Sequence, residues 1–98
     1  MATIAILDLQ LKADSLETAY KVIHATLTDT RAFPGCLGVT VLVDSDDPAH
    51  VVIYETWESI EHDQAYRAWR TTPEGASKLG SILTGRPKVT QFTVAEGV

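Results

Sequence analysis

The sequence predicts an α+β fold, with four strands in one antiparallel sheet and helical segments packed on one of its faces. Three observations carry this expectation. Apolar alternation and helical periodicity succeed one another as strand, helix, strand, strand, helix in two pieces, strand. The length of 98 residues makes a single domain spanning 1–98, without linkers, repeats or low-complexity segments. Several strands are apolar on both faces, although helices on one side of a single sheet cover only one. This is the ferredoxin-like arrangement. A bare apolar face on so small a domain is an association surface, and a homodimer built through the sheets is expected.

Residues 2–11 form the first strand, with Leu7, Leu9 and Leu11 on one face and Asp8 and Gln10 on the other. Ile4 and Ile6 oppose Ala5 and Leu7, so both faces of its early part are expected to be covered. Asp14 and Glu17 have capping-box spacing and open a helix whose apolar stripe is Leu16, Tyr20, Ile23 and Leu27. The helix ends at Phe33-Pro34-Gly35, where proline cannot continue it. Residues 37–43 and 50–57 are β-branched-rich strands joined by the turn cluster Asp44 to Pro48, which favours a hairpin. Ser59 caps a second helix that runs to about Arg70. Thr72 and Pro73 predict a further short helix to about Leu83, weakened by Gly75 and Gly80. Residues 88–95 are the last strand.

Thirteen acidic residues against eight basic ones give a net charge of −5, which argues against nucleic acid, whose phosphates demand Lys and Arg. The lone Cys36 cannot form an internal disulfide, and no cysteine–histidine cluster has metal-ligand spacing. No apolar run approaches a membrane span, and the N-terminus lacks the pattern of a secretory signal. A soluble, cytoplasmic domain is expected, with no membrane partner.

The informative stretch is Ile53 to His62, followed by Tyr66 and Trp69. On a helical wheel His62, Ala65, Tyr66 and Trp69 share one side, with Asp63, Gln64, Arg67 and Arg70 on the other. The first set is expected inward, as core aromatics with a helix-edge histidine or as the wall of a site; Arg67 and Arg70 are expected on a solvated face. Glu55 shares strand parity with Trp57, which makes it either a buried carboxylate or the partner of Arg86 or Lys88 in an ion pair, and the ion pair is expected. Cys36 is expected to be a small packed residue, and His24 and His50 to lie at or near the surface. Asp44, Asp46 and Asp47 make a solvated turn rather than a calcium loop, since Pro48 follows and the loop glycine is missing. Gly85-Arg86-Pro87 precedes a strand, so it is not a phosphate loop.

The order Phe33-Pro34-Gly35-Cys36, then Tyr54-Glu55-Thr56-Trp57-Glu58-Ser59, then Thr84 to Lys88 resembles the antibiotic biosynthesis monooxygenase domain over nearly the whole chain. The resemblance implies a dimeric α/β barrel with a pocket between sheet and helices in each chain. It also implies a cofactor-independent monooxygenase that oxidises a small aromatic phenol, anthrone or quinol with O2 and needs no metal, flavin or haem. On this basis His62 is the expected base, while Tyr66 and the Trp57 indole N–H stabilise the developing oxyanion. Trp69 and Ile53 are expected to contact the substrate, in a pocket of roughly a few hundred Å3. Trp57 to His62 matches the W-E-S-I-x-H run of the quinol-oxidising branch. Ile53 stands where the anthrone-oxidising members carry asparagine, the chain contains no asparagine, and Tyr66 lies one turn later than their tyrosine. The haem-degrading branch needs an asparagine and a late histidine that are both missing. A non-catalytic ligand-binding dimer and a small-molecule isomerase on the same fold are the alternatives.

Overall fold

Alternating burial along the strands determines which of their faces meets the helices. In the computed structural model, which describes residues 2–98, β1 (Thr3–Gln10) buries Ala5, Leu7 and Leu9. β3 (Asp47–Trp57) buries Ala49, Val51, Ile53, Glu55 and Trp57. These inward residues face Ala19, Ile23 and Leu27 of α1 (Leu16–Ala32) and Tyr66 of α2 (Ile60–Arg70) in one core. β2 (Cys36–Asp44) and β4 (Lys88–Thr93) are the edge strands. All neighbours are antiparallel, in the order β2-β3-β1-β4, which is the ferredoxin-like sheet. Leu7 sits opposite Ile53 on one side and Val89 on the other. Among the described residues no helix is long and apolar enough to cross a membrane.

The outer sheet face carries no helix. Ile4, Ile6 and Val52 are only half-buried there, so β1 is covered on one side rather than two within a single chain. Leu42, Tyr54 and Phe92 on the same face are exposed. The tight Asp44–Asp47 hairpin is held by aspartates, with Asp46 N–H donating to Asp44 Oδ1 at 2.9 Å and Ala49 N–H to Asp47 Oδ1 at 2.9 Å. His50 bridges Asp44 and Asp8 across the strands, at 2.8 Å and 2.9 Å.

Three expectations are corrected. A 3₁₀ turn at Ala13–Ser15 precedes α1 and takes Asp14 into itself, so Ser15 holds the cap position and no side-chain cap bond forms. The helix predicted from Thr72 is absent. Thr72 Oγ1 instead donates to the Trp69 carbonyl at 2.6 Å and accepts from Gly75 N–H at 3.2 Å, closing the end of α2, and only Leu79–Ile82 is 3₁₀-helical. Two glycines at about 1 kcal/mol each leave a short segment unable to repay helix nucleation. The last strand stops at Thr93, two residues early.

Candidate functional site

Ser59 starts α2: its Oγ accepts from His62 N–H at 3.3 Å and is hydrogen-bonded to His62 Nδ1 at 2.7 Å. The helix then turns an unexpected side inward. Asp63 and Tyr66 are buried, and Arg67 and Arg70 lie with them, so the stripe at i, i+3, i+4 and i+7 is Asp63, Tyr66, Arg67 and Arg70. The two arginines are therefore not on a solvated face. Strand parity supplies the reason, because Glu55 enters the core from β3 only 1% exposed and a buried carboxylate needs a cation.

Arg67 is that cation. Its Nη2 donates to Glu55 Oε1 at 2.6 Å, and Trp57 Nε1 donates to the same oxygen at 3.0 Å. The expected partners Arg86 and Lys88 are elsewhere; Lys88 pairs in register with Asp8, whose side chain is on the outer face. Arg67 Nε also lies 3.0 Å from Asp63 Oδ1, at an angle that makes no hydrogen bond, so both atoms go without one. Gln91 on β4 donates to Asp63 Oδ2. Two buried carboxylates thus share one guanidinium.

A second polar group joins the helices. Thr30 Oγ1 donates to the Thr26 carbonyl at 3.2 Å and lies 2.6 Å from Tyr66 Oη. Arg70 Nε donates to Tyr66 Oη at 2.7 Å, its Nη2 to the Thr26 carbonyl at 2.8 Å and its Nη1 to the Gly75 carbonyl at 3.1 Å. Arg70 therefore ties α1, α2 and the loop after α2 together. Phe33, at the end of α1, packs edge-on to Trp57 and Tyr66 with centroids 6.1 Å and 5.3 Å away, and lies tilted against Trp69 at 5.4 Å.

Between the sheet and these helices lies a cavity of about 160 Å3, smaller than expected. Leu7, Leu27, Ile53 and Leu79 form its apolar wall, and Glu55, Tyr66, Arg67 and Arg70 its polar one. Of the five residues singled out in the sequence, Ile53 and Tyr66 line it. Trp57 lies fully buried behind Glu55, its N–H already spent. Trp69 is half-buried beside a shallow surface depression with Asp29, Phe33 and Pro34. His62 stands outside the cavity with its side chain 42% exposed, because turning Asp63 and Tyr66 inward carries position 62 toward the surface. Its ring packs on Gly35, where φ is +90° and a Cβ would come within 2.3 Å of the ring. Burial pushes the Cys36 thiol up, which disfavours a reactive thiolate. Among the described residues no three His, Cys, Asp or Glu side chains form a metal-binding group.

Arg67, Arg70 and Thr30 are the site residues that sequence reasoning missed or placed wrongly, whereas Glu55 has the burial its strand parity allowed, with Arg67 in place of the expected partner. The signal for the arginines was the helical spacing of Asp63, Arg67 and Arg70 read against a core-facing Glu55.

The family model for antibiotic biosynthesis monooxygenase matches residues 3–76. No curated protein sequence matches the chain significantly. Among solved structures the chain is similar to a mutant of SnoaB, a cofactor-independent oxygenase from Streptomyces nogalater, at 16% identity and a TM-score of 0.82, over 99% of this chain and 96% of that one. It is similar to Rv0793 from Mycobacterium tuberculosis at 20% identity and a TM-score of 0.78, over the whole of both chains. A crystal structure of an antibiotic biosynthesis monooxygenase aligns at 18% identity and a TM-score of 0.79, over 97% of this chain and 99% of that one.

Proposed function

The chain belongs to the antibiotic biosynthesis monooxygenase family, and from that premise we propose that it oxidises a single-ring phenol or quinol with dioxygen, without flavin, haem or metal. The observation that carries this reading is the cavity of about 160 Å3 between sheet and helices, apolar on one side and hydrogen-bonding on the other. An apolar cavity of about 150 Å3 admits benzene, so one substituted ring fills this space and the three fused rings of an anthrone would extend beyond it. Leu7, Leu27 and Ile53 would flank the ring, and its oxygen would lie against the polar wall of Glu55, Tyr66, Arg67 and Arg70.

Such chemistry asks for orientation, proton removal and exclusion of water. The ring supplies the electrons. One atom of O2 enters the ring, and the other leaves as water with two hydrogens taken from the substrate. Trp57 would act by holding Glu55, and Trp69 by backing the aromatic wall, whereas His62 lies outside the cavity. Two copies would pair through the bare sheet face. Oxygen uptake across a panel of phenols, quinols, naphthols and anthrones tests the reading. Uptake with single-ring compounds is expected; uptake confined to anthrones would overturn the size argument, and none with any compound would overturn the oxygenase reading.

A further inference from the structure

Four ionisable side chains line the cavity, and only one of them is free to take a proton. Arg67 and Arg70 stay protonated. Thr30 gives its proton to the Thr26 carbonyl, so Tyr66 donates to Thr30 and accepts from Arg70, and its hydroxyl is fully engaged. Glu55 remains. Its Oε1 is fixed by Trp57 and Arg67, while Oε2 makes no hydrogen bond among the described residues, in a carboxylate that lines the cavity.

We propose that Glu55 Oε2 is the atom that accepts the phenolic proton of the substrate. The assignment rests on the oxygenase reading above and goes beyond it by naming the base. Asp63 and Glu55 share the single guanidinium of Arg67, so that guanidinium is divided between two carboxylates and leaves Oε2 of Glu55 unbonded among the described residues. A carboxylate is a sufficient base because an aromatic ring that is losing an electron makes its own O–H strongly acidic. In the step, the phenolic O–H bond breaks, the proton passes to Oε2, and one electron passes from the ring to O2, leaving a phenoxyl radical and superoxide. After these combine at a ring carbon, that carbon gives up its hydrogen. The two hydrogens lost by the substrate, one held meanwhile on Glu55, leave in the water that carries off the second oxygen atom.

The test compares oxygen uptake by the wild-type protein and Glu55→Gln on one single-ring phenol, at neutral pH and at a pH where the phenol ionises unaided, with spontaneous oxidation subtracted. Glu55→Gln keeps the volume, and Arg67 retains Asp63. At neutral pH kcat should fall ~10²–10⁴-fold, the range of general-base assistance, with KM changed little, and the defect should shrink as the phenol ionises. Glu55→Asp keeps the charge opposite Arg67 but withdraws it from the cavity. It should fall between the two, and it replaces the glutamine variant should that variant not fold. Wild-type turnover by Glu55→Gln at neutral pH, or a defect equally deep at both pH values, would overturn the proton role and leave the oxygenase reading standing. No uptake by the wild-type protein with any phenol or quinol overturns both.

Discussion

At the scale of single residues, His50 shows how neighbours set a proton equilibrium. Its ring lies on the outer sheet face between Asp44 Oδ2 and Asp8 Oδ1, with both nitrogens engaged. The hydrogen bond to Asp44, and then that to Asp8, raise the His50 pKa, and the bond to His50 holds the Asp44 carboxyl low. The raised histidine pKa means that its stabilisation is complete below the ordinary histidine value near ~6.5 and is lost as pH rises through the raised one. The Asp44 contribution runs the other way: it is present above the usual carboxylate range and lost as pH falls through its lowered value. The stability difference between wild type and His50→Gln should therefore be largest in mildly acidic solution and shrink toward alkaline pH, as followed by urea unfolding at a series of pH values. A difference that is flat across this range would show that the triad contributes through neutral hydrogen bonds alone.

The second helix behaves as a unit whose orientation is set by charge. Its inward stripe is mostly ionic, and it stays inward because Glu55 on β3 and Asp63 on the helix itself both converge on Arg67. Removing one partner of a buried pair costs about 3–5 kcal/mol. Because Arg67 itself is about a quarter exposed, at 26%, the lower end applies. Arg67→Ala should lower stability by about 3 kcal/mol in denaturant unfolding, and an Arg67→Ala, Glu55→Gln double variant should recover part of that loss. A double variant no more stable than Arg67→Ala would assign the cost to lost packing of the arginine stem. Legibility differed sharply between the helices. The stripe of α1 stood out because Ile23 and Leu27 bury themselves for their own sake, whereas Arg67 and Arg70 turn inward only where acceptors on other elements meet them.

Across the whole molecule the sheet is used asymmetrically. One face holds the core and the cavity; the other presents Leu42, Tyr54 and Phe92 to solvent beside half-buried Ile4, Ile6 and Val52. A chain of 98 residues buries too little surface to leave such a face uncovered at no cost. A stable interface takes roughly 800 Å2 from each partner, which a four-stranded sheet face can supply. Sedimentation at micromolar concentration is expected to show a species of twice the chain mass. Tyr54→Asp with Phe92→Asp should convert it to monomer and lower the melting temperature. A wild-type monomer under those conditions would refute pairing through the sheet.

The sequence by itself determined the order of the elements, the inward face of β1, the stripe of α1 and the Ser59 cap of α2. Each of these follows from the residue's own hydrophobicity or from a partner within four positions. The Trp57, Tyr66 and Ile53 neighbourhood was legible for the same reason, since it lies on one short run of chain. β3, apolar on both faces, had its inward face chosen only by packing. Only the tertiary structure decided that α2 turns Asp63, Arg67 and Arg70 inward, that the segment after Thr72 remains turns rather than helix, and that His62 falls outside the cavity while Glu55 falls within its wall. Burial of an apolar side chain is favourable wherever the core is, so it is written in the residue. Burial of a charge is favourable only where an opposite charge arrives from another element, and Glu55 meets Arg67 only after strand and helix have packed.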